Sequence, residues 1–240
     1  MITICGVDEL EEILASGEYD AVLSIEHPGA RDGSGRAPRL SKPDQKILSF
    51  YDSDEYQRGG PTKELVAEAM EFLDAHRGDN VIIHCKAGIS RSAALALGWI
   101  AKEMAQNGVS QEKAIEQSIA HIKSIRPIAS PNNTVLSMID TQYDFGGELS
   151  KTAFLDKKFR ANDPFITSLR HAIEKTSFTA VALFHPLLQV LPYDDVLGML
   201  YPEGGVPEHL KKPPSTKQDE GTHEQDSNPP PPSSGKPSPK

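Results

Sequence analysis

His84-Cys85-Lys86-Ala87-Gly88-Ile89-Ser90-Arg91-Ser92 decides how this 240-residue chain is read. The apolar run Val81-Ile82-Ile83 before it reads as a buried strand, and Ala93 to Ala105 after it as a helix. A strand that enters a tight glycine-containing loop at a helix N-terminus makes an anion site, because free backbone N–H groups and the helix dipole point into the loop. A thiol in that field is acidified, and the thiolate is the nucleophilic form. Arg91 adds a planar fork able to hold two phosphate oxygens at once. The loop therefore suits a nucleophile attacking a bound phosphoryl group.

The same stretch resembles the signature of the protein tyrosine phosphatase superfamily, which runs His-Cys, five residues, Arg, then Ser or Thr. His84, Cys85, Gly88, Arg91 and Ser92 match it. The resemblance implies that Cys85 attacks phosphorus and forms a phosphocysteine. Arg91 and the backbone amides of Lys86, Ala87, Gly88, Ile89, Ser90 and Arg91 would hold the phosphate oxygens. His84 and Ser92 would support Cys85, and no metal or other cofactor is needed.

Ester cleavage also needs a proton for the leaving oxygen and later a base for water. Phe50-Tyr51-Asp52-Ser53-Asp54-Glu55-Tyr56 resembles the acid loop of the compact dual-specificity type and makes Asp52 the acid, with Asp54 and then Glu55 as rivals. Ile125-Arg126-Pro127-Ile128-Ala129-Ser130-Pro131-Asn132 resembles the "Arg-Pro … Pro-Asn" segment that follows the catalytic helix and implies a supporting role for Asn132. Ser130 is expected to cap a helix that begins at Pro131. Together the matches run roughly from residue 20 to residue 145.

Strands at Met1–Ile4, Asp20–Ile25, Lys46–Phe50 and Val81–His84 alternate with helices, the first of them capped by Asp8 and later ones at 61–76, 92–106, 110–124 and 131–143. That alternation predicts an α/β fold with a central, mostly parallel sheet flanked by helices. Ligands of such sheets bind at the carboxyl ends of the strands, which puts Cys85 and Asp52 on one rim. Three units are expected: a catalytic domain over 1–147, a C-terminal helical extension over 148–205 packed on it, and a disordered tail over 206–240. In the extension, Asp163 before Pro164 reads as the cap of a helix ending near Lys175. The tail is rich in proline, serine and charge, and Pro229 to Pro232 could form a polyproline II ligand.

Residues 1–150 hold 14 basic and 23 acidic side chains and so carry the whole net charge of −9, while residues 151–240 hold 11 of each. An acidic domain argues against nucleic acid as a partner and against an anionic membrane surface. The absence of a long apolar run predicts no transmembrane segment, and the N-terminus shows no signal peptide. Two cysteines point to a reducing, cytoplasmic setting. Cys5 reads as buried packing, a reversible Cys5–Cys85 disulfide being the alternative.

Three functions follow. The first is a phosphatase for phosphotyrosine, extending to phosphoserine and phosphothreonine, in proteins. The second is a phosphatase for a non-protein substrate: an inositol phosphate, a phospholipid or an RNA 5′-phosphate. Lys86 after the nucleophile occurs in phosphatases of inositol phospholipids, but those usually carry a second loop lysine where this chain has Ile89. Arg31, Arg36 and Arg39 could engage a second phosphate. The third function is a catalytically silent phosphate-binding scaffold. The expected partner is a phosphorylated protein or small phosphate ester, with a homodimer through the extension as a further expectation.

Overall fold

The computed structural model describes residues 1–30, 35–53, 59–176, 193–201 and 204–211. Four strands form one parallel sheet: β1 (Ile2–Gly6), β2 (Ala21–Glu26), β3 (Asp44–Ser49) and β4 (Val81–Cys85), in the order β1-β4-β2-β3. The inner pair, β2 and β4, is buried almost end to end. This explains why both read as continuous apolar runs, as a parallel strand covered on two faces must. Ile2 pairs with Val81, Cys5 with His84 and Gly6 with Cys85. The edge strand β3 is more exposed and carries Asp44, Gln45 and Lys46, charge and polarity that discourage edge pairing with another chain.

One face of the sheet is covered by α1 (Leu10–Ser16), where Cys5, Leu10, Val22 and Ile82 form a small cluster. The other face packs against α2 (Lys63–Ala75), α3 (Arg91–Gln106), α4 (Gln111–Ile125), α5 (Asn133–Gln142) and α6 (Glu148–Leu155) in the main core. Cys5 and Cys85 belong to clusters on opposite faces, as their register demands, since Cys5 stands opposite His84 and not Cys85. Both thiols are free, and a bond between them would require the backbone to move.

The layered α/β architecture agrees with the sequence pattern, two local expectations are corrected, and two short helices are added. Asp8 does not cap α1: the preceding residue is Glu9, and its carboxylate turns back to the Gly6 N–H at 2.6 Å. Ser130 does not cap α5: Asn132 does, accepting the Val135 N–H at 2.9 Å, while the Ser130 N–H donates to the Ile89 carbonyl. Helices α6 and α7 (Lys157–Ala161) were not foreseen, because neither is long enough to show a period. The main core continues through them to Phe159.

A second cluster gathers Ile166, Leu169 and Ile173 of α8 (Pro164–Lys175) with Val196, Leu197 and Leu200 of α9 (Tyr193–Leu200). Asp163 caps α8 as expected, accepting the Phe165 and Ile166 N–H groups. The Asn162 side chain, just before α8, donates to the carbonyls of Pro127 and Ala129 in the segment between α4 and α5. Among the described residues no helix is long and apolar enough to cross a membrane. The expectations for Arg31, for the acid-loop rivals Asp54 and Glu55, and for the tail beyond residue 211 lie outside the described residues.

Candidate active site

The carboxyl ends of all four parallel strands converge on one rim. β1 delivers the Gly6–Glu9 turn, β2 delivers His27, β3 runs through Phe50 to Asp52, and β4 ends at Cys85. The loop from Cys85 then turns into α3, whose first residue is Arg91. Gly88 allows that turn. Its φ is +67°, and a Cβ there would stand 2.3 Å from the Cys5 carbonyl carbon, so both conformation and space require glycine.

Cys85 is 2% exposed, with its Sγ 3.3 Å from the Ser92 Oγ. Burial opposes its ionisation, but the Arg91 guanidinium, the Ser92 hydroxyl and the N–H groups of Ser92 and Gly88 outweigh it and hold the thiol below its ordinary range. Arg91 is buried, donating from Nη1 to the Phe50 carbonyl at 2.7 Å. Its Nε is also buried and has no hydrogen-bond partner among the described residues. One edge of the fork thus ties the end of β3 to the loop, and the orphaned N–H is suited to an oxyanion.

Ser90 occupies the N-cap position of α3 but makes no side-chain cap. Its hydroxyl instead donates to Asp52 Oδ1 at 2.7 Å, and the Asn132 Nδ2 donates to the same oxygen at 2.9 Å. The first amides of α3 therefore keep their capacity to bind an anion. The structure brings Asp52, Ser90 and Asn132 together, three residues singled out in the sequence from three separate segments.

His84 lies on the α1 face of β4, with Nε2 2.7 Å from the Ser24 Oγ. Gln45 Nε2 donates to that same oxygen at 2.9 Å, so Ser24 links the His84 ring to the edge strand β3. Burial pushes His84 down to about 4, against a smaller upward pull from the Cys85 backbone, and Arg91 adds to the fall. The imidazole is therefore neutral at neutral pH and acts by shape and hydrogen bonding.

Ser24 and His27 are among the residues near this rim that escaped the sequence. Ser24 had a visible signal, a hydroxyl inside the otherwise apolar run Val22-Leu23-Ser24-Ile25. His27 had none. Its Nε2 lies 3.4 Å from Arg91 Nη2, and its ring packs on Tyr51 at 5.6 Å between centroids. Burial lowers its pKa first, with Arg91 and Lys86 adding to the effect against Asp52. The Tyr51 hydroxyl donates to the Pro28 carbonyl. The Lys86 side chain runs past Gly35 beside His27. Arg39 does not reach the loop: it pairs with Glu26 at 3.0 Å. Among the described residues no group of histidine, cysteine and carboxylate side chains is arranged to hold a metal ion.

The parallel sheet thus presents, between β4 and α3, a loop with the acidified Cys85 at its start and Arg91 at its end. Residues 41–144 match the family model described as "Dual specificity phosphatase, catalytic domain". Protein phosphatase Slingshot homolog 3 of Homo sapiens is 40% identical over 67 residues, which cover 27% of this chain and 9% of that protein. Dual specificity protein phosphatase 1 of Arabidopsis thaliana is 28% identical over 102 residues, 42% of this chain and 41% of that protein. The chain thus spans well under two thirds of these relatives. Among solved structures, the Yvh1 phosphatase domain from Chaetomium thermophilum is similar with a TM-score of 0.47 and 16% identity, over 62% of this chain and 93% of that one.

Proposed function

We propose that this protein is a cysteine-dependent phosphatase that hydrolyses phosphotyrosine, and also phosphoserine and phosphothreonine, in proteins. The Cys85 thiolate attacks phosphorus in line with the ester oxygen, so that the P–S bond forms as the P–O bond breaks. Asp52 gives its proton to the leaving oxygen. Arg91 and the amides of the loop bind the three equatorial oxygens, where the charge of the transition state is spread. Water then attacks the phosphocysteine, Asp52 takes a proton from it, and Cys85 leaves as thiolate with the Ser92 hydroxyl donating to sulfur. The products are the free alcohol or phenol and inorganic phosphate.

The observation that carries this reading is the hydrogen bond from Ser90 to Asp52, which holds a carboxylate over the loop that acidifies Cys85. Support for an aromatic phosphoester comes from Tyr51 and His27, whose packed rings form a wall at the rim. Residues 1–147 form the chemical unit, and a reducing compartment such as the cytoplasm suits its free thiols.

The test is hydrolysis of para-nitrophenyl phosphate in the presence of chelator by the intact protein and by Cys85→Ser. Chelator-resistant turnover that vanishes in the variant is the expected result, and no turnover by the reduced intact protein would sink the proposal. A second reading, an inositol phosphate substrate, rests on Lys86 beside His27 and predicts that such compounds outpace phosphopeptides in a rate comparison.

A further inference from the structure

A loop that turns its amides inward to hold an anion turns its carbonyls outward, and each of those carbonyls needs a donor. The structure supplies one for every carbonyl from residue 86 to residue 90. Lys86 accepts the Val7 N–H at 3.1 Å, Ile89 the Ser130 N–H at 3.0 Å, and Ser90 the N–H groups of Ala94 and Asn132. The middle two depend on one side chain: Arg126 donates from Nη2 to Ala87 at 3.0 Å and from Nε to Gly88 at 3.0 Å.

Arg126 is itself held by Glu9. Nη1 reaches Oε1 at 3.0 Å and Nη2 reaches Oε2 at 2.8 Å, a two-point pair that fixes the plane of the guanidinium. Oε2 also accepts the Gly6 N–H at 2.6 Å, which anchors the carboxylate to the end of β1. Gly6 lies close to the loop, since a Cβ on it would stand 3.1 Å from the Lys86 oxygen. Glu9 belongs to a turn that precedes the residues matched by the family model, 41–144.

We infer that Glu9 is a positioning residue of the catalytic loop: it fixes Arg126, which orients the Ala87 and Gly88 peptides so that their amides face the phosphate. This inference rests on the loop being the phosphate site proposed above. A carboxylate–guanidinium pair with Glu9 about half exposed ordinarily contributes little. What distinguishes this one is that the same guanidinium carries two loop carbonyls. Glu9 is also held below the usual carboxylate range, first by its hydrogen bond with Arg126, and the Gly6 N–H adds to this against the cost of burial.

The test compares the full chain with Glu9→Gln and Arg126→Lys. Glu9→Gln keeps an acceptor for Gly6 but removes the charge, and Arg126→Lys keeps the charge but removes the fork. The readouts are the pH midpoint of Cys85 alkylation by iodoacetamide, followed on the peptide that carries Cys85, the dissociation constant of orthovanadate, and the melting temperature. Both variants should move the alkylation midpoint upward, by about one pH unit for Arg126→Lys. Orthovanadate should bind more weakly, and kcat/KM should fall about tenfold to hundredfold for Arg126→Lys, the scale of a small misplacement of catalytic groups. Glu9→Gln should show the same changes to a smaller extent.

A purely structural pair would lower the melting temperature and leave the alkylation midpoint and orthovanadate constant at their wild-type values, and that outcome overturns the inference. Should Arg126→Lys not fold, Glu9→Gln decides by the same two readouts. An intact protein that shows no acidified Cys85 and binds no orthovanadate would overturn the phosphatase proposal itself, and this inference with it. Wild-type binding retained in both variants would overturn this inference alone.

Discussion

Asp52 and Asn132 are joined through a single oxygen: the Asn132 amide donates to Asp52 Oδ1 at 2.9 Å, and the Ser90 hydroxyl reaches the same atom at 2.7 Å. Asn132 at the same time uses its side-chain oxygen to cap α5. If Asp52 is the proton donor, Asp52→Asn should lower kcat by about 10²–10⁴-fold, the usual weight of a general acid. The alkaline limb of the kcat–pH profile should disappear with it. A near-normal rate would move the acid to another residue of the acid loop.

Asn132→Ala separates the two jobs of that side chain. The lost cap should lower stability by about 1 kcal/mol. The lost hold on Asp52 should lower kcat by several-fold with KM for para-nitrophenyl phosphate little changed. Asn132→Asp, which keeps the cap acceptor but sets a second carboxylate beside Asp52, should restore stability and leave kcat low. Denaturant melts and steady-state kinetics on the two variants check this.

His84 makes stability depend on acid. Its folded pKa of about 4 lies below the ordinary 6.5, so the unfolded chain binds the proton more readily. The resulting stability is fully present above about pH 6.5 and is lost as pH falls toward 4. At pH 4.5 the loss from this group should be on the order of 2–3 kcal/mol. Urea unfolding at pH 7 and pH 4.5 should show that loss, and His84→Gln should show clearly less of it. An equal pH dependence in the variant would assign the effect elsewhere.

Gly98 lets α3 lie close to α5. A Cβ there would stand 2.3 Å from Cδ1 of the fully buried Ile139. Gly98→Ala gains roughly 1 kcal/mol of helix propensity but overpacks the core, and the net effect should be a loss of about 1–3 kcal/mol. Ile139→Val deletes the nearest atom, so the double variant should recover part of the loss. Thermal melts of the three proteins test the coupling.

The loop from Cys85 to Arg91 was legible because it is local: a strand, a cysteine, a glycine and an arginine arrive in one run of residues. Asp52 could be singled out by resemblance, yet its neighbours Ser90 and Asn132 could not be joined to it without the fold. Asn132 lies not inside α5 but at its N-cap, where its side-chain oxygen accepts the Val135 N–H and its nitrogen is left to donate to Asp52. Asp8 looked like the cap of α1 by residue type, but the carboxylate next to it turns back to bind Gly6 and Arg126. His27 and Glu9 carry no motif. They matter only because parallel strands bring their carboxyl ends to one rim, and that adjacency is tertiary.

The pairing of β1 with β4 has a consequence for how the chain is made. Ile2 finds its partner only at Val81, and Glu9 reaches Arg126 across 117 positions of sequence. During synthesis at about 5–20 residues per second, the first strand therefore waits seconds for its neighbour, an apolar segment with nothing yet to pair against. Contacts so distant in sequence slow folding. Recovery of hydrolysis after dilution from denaturant should accordingly lag behind recovery of helical signal, with the active site among the last features of the molecule to be born.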